Sequence, residues 1–420
     1  MHIKSIIIEY QDFLNSITVE KRDYSIDKNA NYVITGIRRA GKTWFLFQIA
    51  GELLKNDFEK LLYINFEDDR FIGFQATDFD MLLNAYYELH PDNKPVVFLD
   101  EVQIIEGWQK FCRRLADQQY RVCITGSNAE MLSSDIASVL GGRYIPLKIN
   151  PLSFPEYLRF NKLIVKTTDI YGNKKNKIKK LFNEYFRFGG FPEIINIADK
   201  RGYLHNIYTT VLYNDIVVRN KIRDTYGLRL LVKKIAESTN DELSYRRMTN
   251  LLDASGAKIG TSTIISWIEA LKNSFLIREL RNLNYKFSER ESRKKYYFVD
   301  NGLLTALGVE DGSKLFETLV FNVLRMLYNE MWFFKTANVE VDFVVPGKII
   351  YQASYDVSDP VTRQREINSL VKAGDYLNIS KLAILTYDYE ETCQNGSKTI
   401  EIIPLWKFIL MDFWQGVKQA

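Results

Sequence analysis

The segment Gly36-Ile-Arg-Arg-Ala-Gly41-Lys42-Thr43 constrains this chain more than any other. It has two glycines with four residues between them, then lysine and a hydroxyl residue. An apolar run, Asn31 to Thr35, leads into it, and a helical pattern from Thr43 to Lys55 follows. A glycine-bounded loop between a strand and a helix wraps its backbone N–H groups around an anion, and the helix dipole adds to the attraction. A chance match in a turn lacks that flanking strand and helix. The expected ligand is a nucleoside triphosphate, ATP, held with Mg2+. Lys42 is placed to reach the β- and γ-phosphates, and Thr43 to offer its hydroxyl to the metal. The expected nucleotide contacts are Gly36, Arg38, Arg39, Ala40, Gly41, Lys42, Thr43 and Trp44.

Three further elements fit this reading. Val96-Val-Phe-Leu-Asp100-Glu101 is an apolar strand ending in two acids. Asp100 is placed to hold the Mg2+ shell and Glu101 to orient or deprotonate the attacking water. An isolated Asp-Glu pair would be a solvated turn; downstream of a phosphate loop it is not. Thr125-Gly-Ser127-Asn128 ends another strand pattern, and Asn128 or Ser127 is a candidate sensor of the γ-phosphate, against the plainer reading of a Gly-Ser-Asn turn. Arg143, after Gly141 and Gly142, is the candidate arginine finger acting on a neighbouring subunit, against a solvated surface arginine. The candidate catalytic set is Lys42, Glu101, Asn128 and Arg143; the candidate metal ligands are Thr43 and Asp100.

The first 150 residues alternate short apolar strands (31–35, 61–66, 95–100, 121–125) with longer amphipathic stretches, the pattern of a parallel sheet covered on both faces. After Pro151 the chain reads as helical, with a basic run from Asn173 to Lys180 and an interruption at Gly189-Gly-Phe-Pro192. The run reads first as a solvated helix face and second as a nucleic-acid contact. Two helices, 245–252 and 261–272, separated by a turn at 256–260 and followed by a strand pair, have the order of a winged helix. The last ~120 residues alternate helices and strands, a length ordinary for one domain.

The chain has 420 residues, 46% apolar and 26% charged, which is globular composition. A net charge of +4 does not by itself indicate nucleic acid. Cys112, Cys123 and Cys393 show no paired spacing, so neither a disulfide framework nor a zinc cluster is expected, and a reducing cytoplasm is the simplest setting. No apolar stretch approaches the ~18 residues of a membrane span. The run from Ile402 to Trp414 is broken by Pro404, Lys407 and Asp412. A soluble, intracellular protein without a membrane partner is expected. His2, His90 and His205 are isolated and suggest no metal site.

Taken in order, Gly36 to Thr43, Phe98-Leu-Asp-Glu-Val-Gln103, Thr125 to Asn128, Gly142-Arg143, Pro151-Leu-Ser-Phe-Pro-Glu156 and Gly189-Gly-Phe-Pro-Glu193 resemble the prokaryotic AAA+ ATPases of the AAA_14/DUF4143 family, within the archaeal-type ATPase group. The resemblance covers nearly the whole chain. It implies an α/β protein: a P-loop NTPase (AAA+) core at 1–152, a helical lid at 153–225, a winged-helix segment at 226–300 and a C-terminal DUF4143 domain at 301–420, similar to PD-(D/E)xK nucleases. In such relatives that domain carries a Glu on its first helix, then Glu-Val-Asp, then Glu-x-Lys. Here Glu317 and Glu340-Val-Asp342 match, but Gln352-Ala-Ser354 stands at the third motif. Gln352 is neutral and Ser354 brings no positive charge, so a nuclease-like fold without working nuclease chemistry is expected.

Three functions follow in order of preference. The first is an ATPase whose hydrolysis drives a conformational switch, with homo-oligomer assembly suggested by Arg143. The second is an ATP-switched DNA-binding protein acting through the winged-helix or C-terminal region. Residues 261–272 are poor in the basic groups that phosphate contacts need, and Ile264, Trp267, Ile268 and Leu271 fall at core spacing. Arg246, Arg247 and the stretch 290–295 are the alternative phosphate contacts. The third is an ATP-dependent nuclease.

Overall fold

The four apolar runs of the first 150 residues form strands β1 (Asn31–Thr35), β2 (Leu61–Asn65), β3 (Val96–Asp100) and β4 (Arg121–Gly126) in the computed structural model, which describes residues 3–396 and 398–411. His2, Asp412 and Trp414 lie outside the described residues. A fifth strand, β5 (Tyr144–Lys148), escaped the sequence reading because Pro146 and a half-exposed face interrupt its apolar pattern. The sheet is parallel throughout, in the order β2-β3-β4-β1-β5. β1, β3 and β4 are buried after their first residue, as strands covered on both faces must be. The N-terminal helix Ile3–Ser16 places Ile3, Ile6 and Ile7 on one face, and these join the core beside Leu62 and Tyr86.

By internal packing the chain divides into two units: Met1–Pro151 with Asn273–Phe275, and Leu152–Lys272 with Leu276–Ala420. The second unit opens on the helix Phe154–Phe160. Ser153 and Glu156 cap it reciprocally, the Glu156 carboxylate accepting from the Ser153 N–H at 2.8 Å. Helices Lys175–Phe188 and Lys200–Thr210 follow, the latter continuing as a π-helix over Val211–Val218. Next come the helix Thr225–Glu237, strand β6 (Glu242–Ser244), helices Tyr245–Ala254 and Thr261–Asn273, and strands β7 (Ile277–Leu280) and β8 (Arg293–Phe298). The three strands form an antiparallel sheet in the order β6-β8-β7. Ile264, Trp267, Ile268 and Leu271 are buried, as their spacing indicated.

A six-stranded mixed sheet completes the unit. It contains β9 (Trp332–Lys335), β10 (Glu340–Val345), β11 (Ile349–Ser354), β12 (Leu382–Thr386), β13 (Glu391–Asn395) and β14 (Lys398–Pro404), in the order β13-β14-β12-β11-β10-β9. β10 and β11 are antiparallel, and the helix Pro360–Leu377 crosses from β11 to its parallel neighbour β12. No helix among the described residues is long and apolar enough to cross a membrane.

One buried carboxylate ties two helical segments of this unit together. Asp300 accepts from the N–H of Gly190 and from that of Gly302, each at 2.8 Å. A Cβ at Gly189, whose φ is 74°, would lie 1.7 Å from Asp300 Oδ1, so the Gly-Gly step is a close approach that no side chain fits. Asn301 extends the lock by donating to the carbonyls of Phe186 at 2.8 Å and Leu315 at 2.9 Å. Burial pushes the Asp300 carboxyl up to about 6, although the two amides oppose it. The folded protein therefore holds this proton more tightly than the unfolded chain, where Asp titrates near ~3.9. The group's stabilising contribution is full below that value and is lost as pH rises through about 6. Between pH 7 and pH 4 the stability of wild type should rise relative to Asp300→Asn by on the order of 2 kcal/mol. Denaturant unfolding of both proteins across that range measures the gap; parallel curves would rule the assignment out.

Candidate nucleotide site

The phosphate loop leaves the C-terminal end of β1, and two glycines allow its path. A Cβ on Gly36 would sit 2.2 Å from the Ile149 carbonyl oxygen, and Gly41 caps the helix Lys42–Leu54 with φ 92°. β4 lies between β1 and β3, pairing Ile34 with Thr125 and Leu99 with Ile124. That register sets Thr125 beside Asp100. The fully buried Asp100 carboxylate accepts from three hydroxyls: Thr43 at 2.6 Å, Tyr63 of β2 at 2.8 Å, and Thr125. Burial, with the neighbouring Glu101 charge, pushes the Asp100 carboxyl up, and the hydroxyls only partly offset this. Thr43 and Asp100 thus meet as the sequence anticipated. Tyr63 was missed: a tyrosine inside an apolar strand carries no signal in the linear pattern.

Glu101 begins a tight turn with a left-handed backbone, φ 51° and ψ 40°, and its N–H donates to Thr125 Oγ1 at 2.9 Å. Its carboxylate lies 3.1 Å from the Lys42 ammonium, which also donates to the Gly36 carbonyl at 3.3 Å. Gln103 Nε2 donates to Glu101 Oε2 at 2.6 Å, and the Ser127 N–H does so at 3.2 Å. Burial alone would raise the Glu101 carboxyl, but the Lys42 ammonium and the Gln103 amide more than offset it, leaving it below the usual range. Lys42, Thr43, Asp100 and Glu101 therefore converge on one site.

Other candidates do not join this set within the chain. The Asn128 side chain caps a short turn, accepting from the Glu130 N–H at 2.9 Å and donating to the Glu130 carboxylate at 3.0 Å. The third element reaches the site instead through the Thr125 hydroxyl and the Ser127 N–H. Arg143 pairs with Asp117 at 2.5 Å and donates to the Gly141 carbonyl at 3.2 Å. It precedes β5, whose Tyr144 pairs with Asn31, so it sits at the N-terminal edge of the sheet, about 13 Å of strand from the phosphate loop. Within the loop, Arg38 pairs with Glu67 at 2.7 Å, Arg39 is exposed with φ 66°, and Trp44 is exposed. Ala40 is fully buried, and its carbonyl accepts from Arg22 at 2.9 Å. The buried Arg22 also donates to the Asn150 carbonyl at 2.8 Å, bracing the loop from behind. Its place in an unpatterned stretch hid it from sequence reasoning.

The carboxylates that the nuclease resemblance picked out gather in the second unit around Lys295, which ends the 290–295 stretch expected to contact phosphate but is instead buried and ion-paired. Lys295 of β8 lies 3.3 Å from Glu340, 3.6 Å from Glu317 and 3.8 Å from Asp342, and it is buried. Ser354 indeed brings no charge, but tertiary structure brings Lys295 to the same carboxylates from 59 residues upstream by sequence number. Burial would lower the Lys295 ammonium; Glu317, Asp342 and Glu340 outweigh it and hold it above its ordinary value. Asp342 is pushed well up by burial and by Glu317. Gln352 accepts from the Asp342 N–H at 3.3 Å, and the Ala353 N–H donates to the Asp342 carboxylate at 3.0 Å.

Comparisons with known proteins agree with the first unit's geometry. A family model described as an AAA domain matches residues 28–158, and a model for a domain of unknown function, DUF8612, matches 179–314, where the resemblance had implied a DUF4143 region further along the chain. An uncharacterized protein of Methanocaldococcus jannaschii is 34% identical over 97% of this chain and 95% of its own length. One of Haemophilus influenzae is 29% identical over 88% of this chain and 92% of its own. Among solved structures, the chain is similar to a Walker-type ATPase of Pyrococcus abyssi (14% identity, TM-score 0.43, 73% of this chain and 95% of that one). It is also similar to the Aeropyrum pernix Orc1 protein solved with DNA (11% identity, TM-score 0.32, 77% and 94%). The chain carries an AAA domain with a P-loop and belongs to the same family as the Methanocaldococcus jannaschii protein.

Proposed function

We propose that this protein binds ATP with Mg2+ at residues 36–44, hydrolyses it, and uses the cycle as a conformational switch. The observation that carries the reading is the meeting of two distant segments: Thr43 Oγ1 stands 2.6 Å from Asp100 Oδ2 while Lys42 Nζ stands 3.1 Å from Glu101. Two carboxylates, a hydroxyl and an ammonium at the mouth of a glycine-bounded loop suit a metal-bound polyphosphate. Thr43 and Asp100 offer the oxygen donors that Mg2+ prefers and would hold it. When bound there, the ion would neutralise charge on the phosphates. The loop N–H groups and Lys42 bind and orient the phosphates. Glu101 accepts a proton from the attacking water. Arg143, at the sheet edge away from its own loop, is read as a finger presented to a neighbouring copy in a homo-oligomer, and Asn128 as a group that leaves its turn to sense phosphate.

Within the second unit we read 153–225 as a helical lid, 226–300 as a winged helix and 301–420 as a nuclease-like domain. The order β6, two helices, β7, β8 with β8 in the middle of the sheet supports the second assignment. The antiparallel β10–β11 pair followed by a helix and parallel β12 supports the third. The DNA-binding alternative is weaker through helix Thr261–Asn273, because its Lys272 is already paired with Glu269 and Glu279, each at 2.9 Å. Salt-dependent retardation of duplex DNA, lost on neutralising Arg246 and Arg247, would favour that alternative instead.

Three outcomes test these readings. Lys42→Ala should abolish binding of a fluorescent ATP analogue, and Glu101→Gln should bind it while turning over at least ~100-fold more slowly; unchanged turnover would remove the base role from Glu101. With the neutral Gln352 in place of a carboxylate and Lys295 already occupying Glu317, Glu340 and Asp342, the protein should cleave neither plasmid nor linear DNA with Mg2+ or Mn2+; cleavage that disappears in Asp342→Ala would overturn this. Lys295→Met should cost about 3–5 kcal/mol of unfolding free energy, since buried carboxylates lose their counter-charge. Denaturation showing a loss below ~1 kcal/mol would mean the cluster is solvated, as exposed pairs are.

A further inference from the structure

The two oxygens of Glu101 have different partners. Oε1 faces the Lys42 ammonium at 3.1 Å. Oε2 is held by Gln103 Nε2 at 2.6 Å and by the Ser127 N–H at 3.2 Å. Phosphates arriving in the loop compete for Lys42, because a polyphosphate offers it more charge than one carboxylate. Oε1 is then released, while nothing in the arrangement draws Gln103 or Ser127 away from Oε2. A carboxylate fastened at one oxygen keeps its plane; one fastened only by the longer Ser127 contact rotates about its last torsion.

The turn that builds this grip is locally unfavourable. Glu101 is a non-glycine residue at φ 51°, a conformation that costs about 1–2 kcal/mol. The Gln103 Oε1 atom is buried without a hydrogen-bond partner, at a typical penalty of about 1–3 kcal/mol. A Cβ at Gly126 would lie 2.3 Å from that oxygen, so the amide is wedged against bare backbone with its NH2 end toward the carboxylate. Two costs within three residues, both serving one contact, mark strain stored where function needs geometry.

We propose that Gln103 is a positioning residue of the ATPase centre: it fixes Glu101 by Oε2 so that nucleotide binding, by drawing off Lys42, presents Oε1 to the attacking water. The proposal rests on the ATPase reading above and adds how that site is switched on by its own substrate. Gln103→Met keeps the side chain's length and removes the donor. Its kcat should fall at least tenfold, with KM for ATP and Kd for a non-hydrolysable ATP analogue within threefold of wild type. A kcat within twofold of wild type beside an active wild type overturns the proposal alone, as does a parallel loss of analogue binding, which would make Gln103 merely structural. A wild type that binds the analogue but hydrolyses no ATP overturns the ATPase reading and this proposal together. A second readout needs no turnover. In protein labelled with 15N-glutamine, the Gln103 side-chain amide, identified by its loss in Gln103→Met, should resonate apart from the other glutamines with and without analogue. It should return to their range in Glu101→Ala; a resonance indifferent to Glu101→Ala overturns the contact itself.

Discussion

Asp100 is a fully buried carboxylate at the end of a central strand, and the first unit is organised around satisfying it. It takes hydroxyl hydrogens from Thr43, Tyr63 and Thr125, side chains on three different elements. Thr125 arrives because β4 lies beside β3 with Leu99 paired to Ile124, Tyr63 because β2 flanks β3 on the other side, and Thr43 from the helix that follows β1. An unpaired buried carboxylate would shift its pKa and neutralise. Here the hydroxyls hold it in place at the point where a cation on the phosphates would need a ligand. The same turn that ends β3 throws Glu101 into a left-handed backbone and across toward Ser127, so one strand end supplies two carboxylates with different partners.

The second unit uses buried charge differently. Asp300 is satisfied by two backbone amides, and it joins the glycine interruption at 189–190 to the start of the helix Asn301–Ala306. Lys295, five residues earlier, is surrounded by Glu317, Glu340 and Asp342. In the first unit Lys42 and Glu101 face each other at the mouth of the glycine-bounded loop. In the second, the Lys295 ammonium is buried among three carboxylates. Similar residues therefore make a single pair at a loop mouth in one place and a buried cluster in the other. Gly189-Gly-Phe-Pro192, which looked like a family signature, is explained in part as the surface on which Asp300 closes.

Much of the first unit was legible in the linear sequence. Continuous apolar runs gave β1 to β4, and residue spacing gave Lys42, Thr43, Asp100 and Glu101, because a phosphate loop and a strand-terminal acid are local patterns. β5 was not legible, since Pro146 and its exposed face blur the pattern of a buried strand. Nor were Tyr63, Arg22 and Gln103, whose types are ordinary in a strand, a loop and a turn.

The sequence by itself determined the chemistry on offer: a P-loop, two acids after a strand, and a neutral Gln352-Ala-Ser354 where the resemblance led to an expected charged pair. Tertiary structure alone decided which side chains meet. Strand register put Thr125 on Asp100, and a local cap kept Asn128, the expected phosphate sensor, at Glu130. Three-dimensional packing brought Lys295 to carboxylates on a later helix and strand, restoring a positive charge that Ser354 had seemed to forfeit. The physical reason is the same in each case. A periodic pattern within one element reveals which face is buried, but a hydrogen bond or ion pair between elements depends on strand order and register, which no single element encodes.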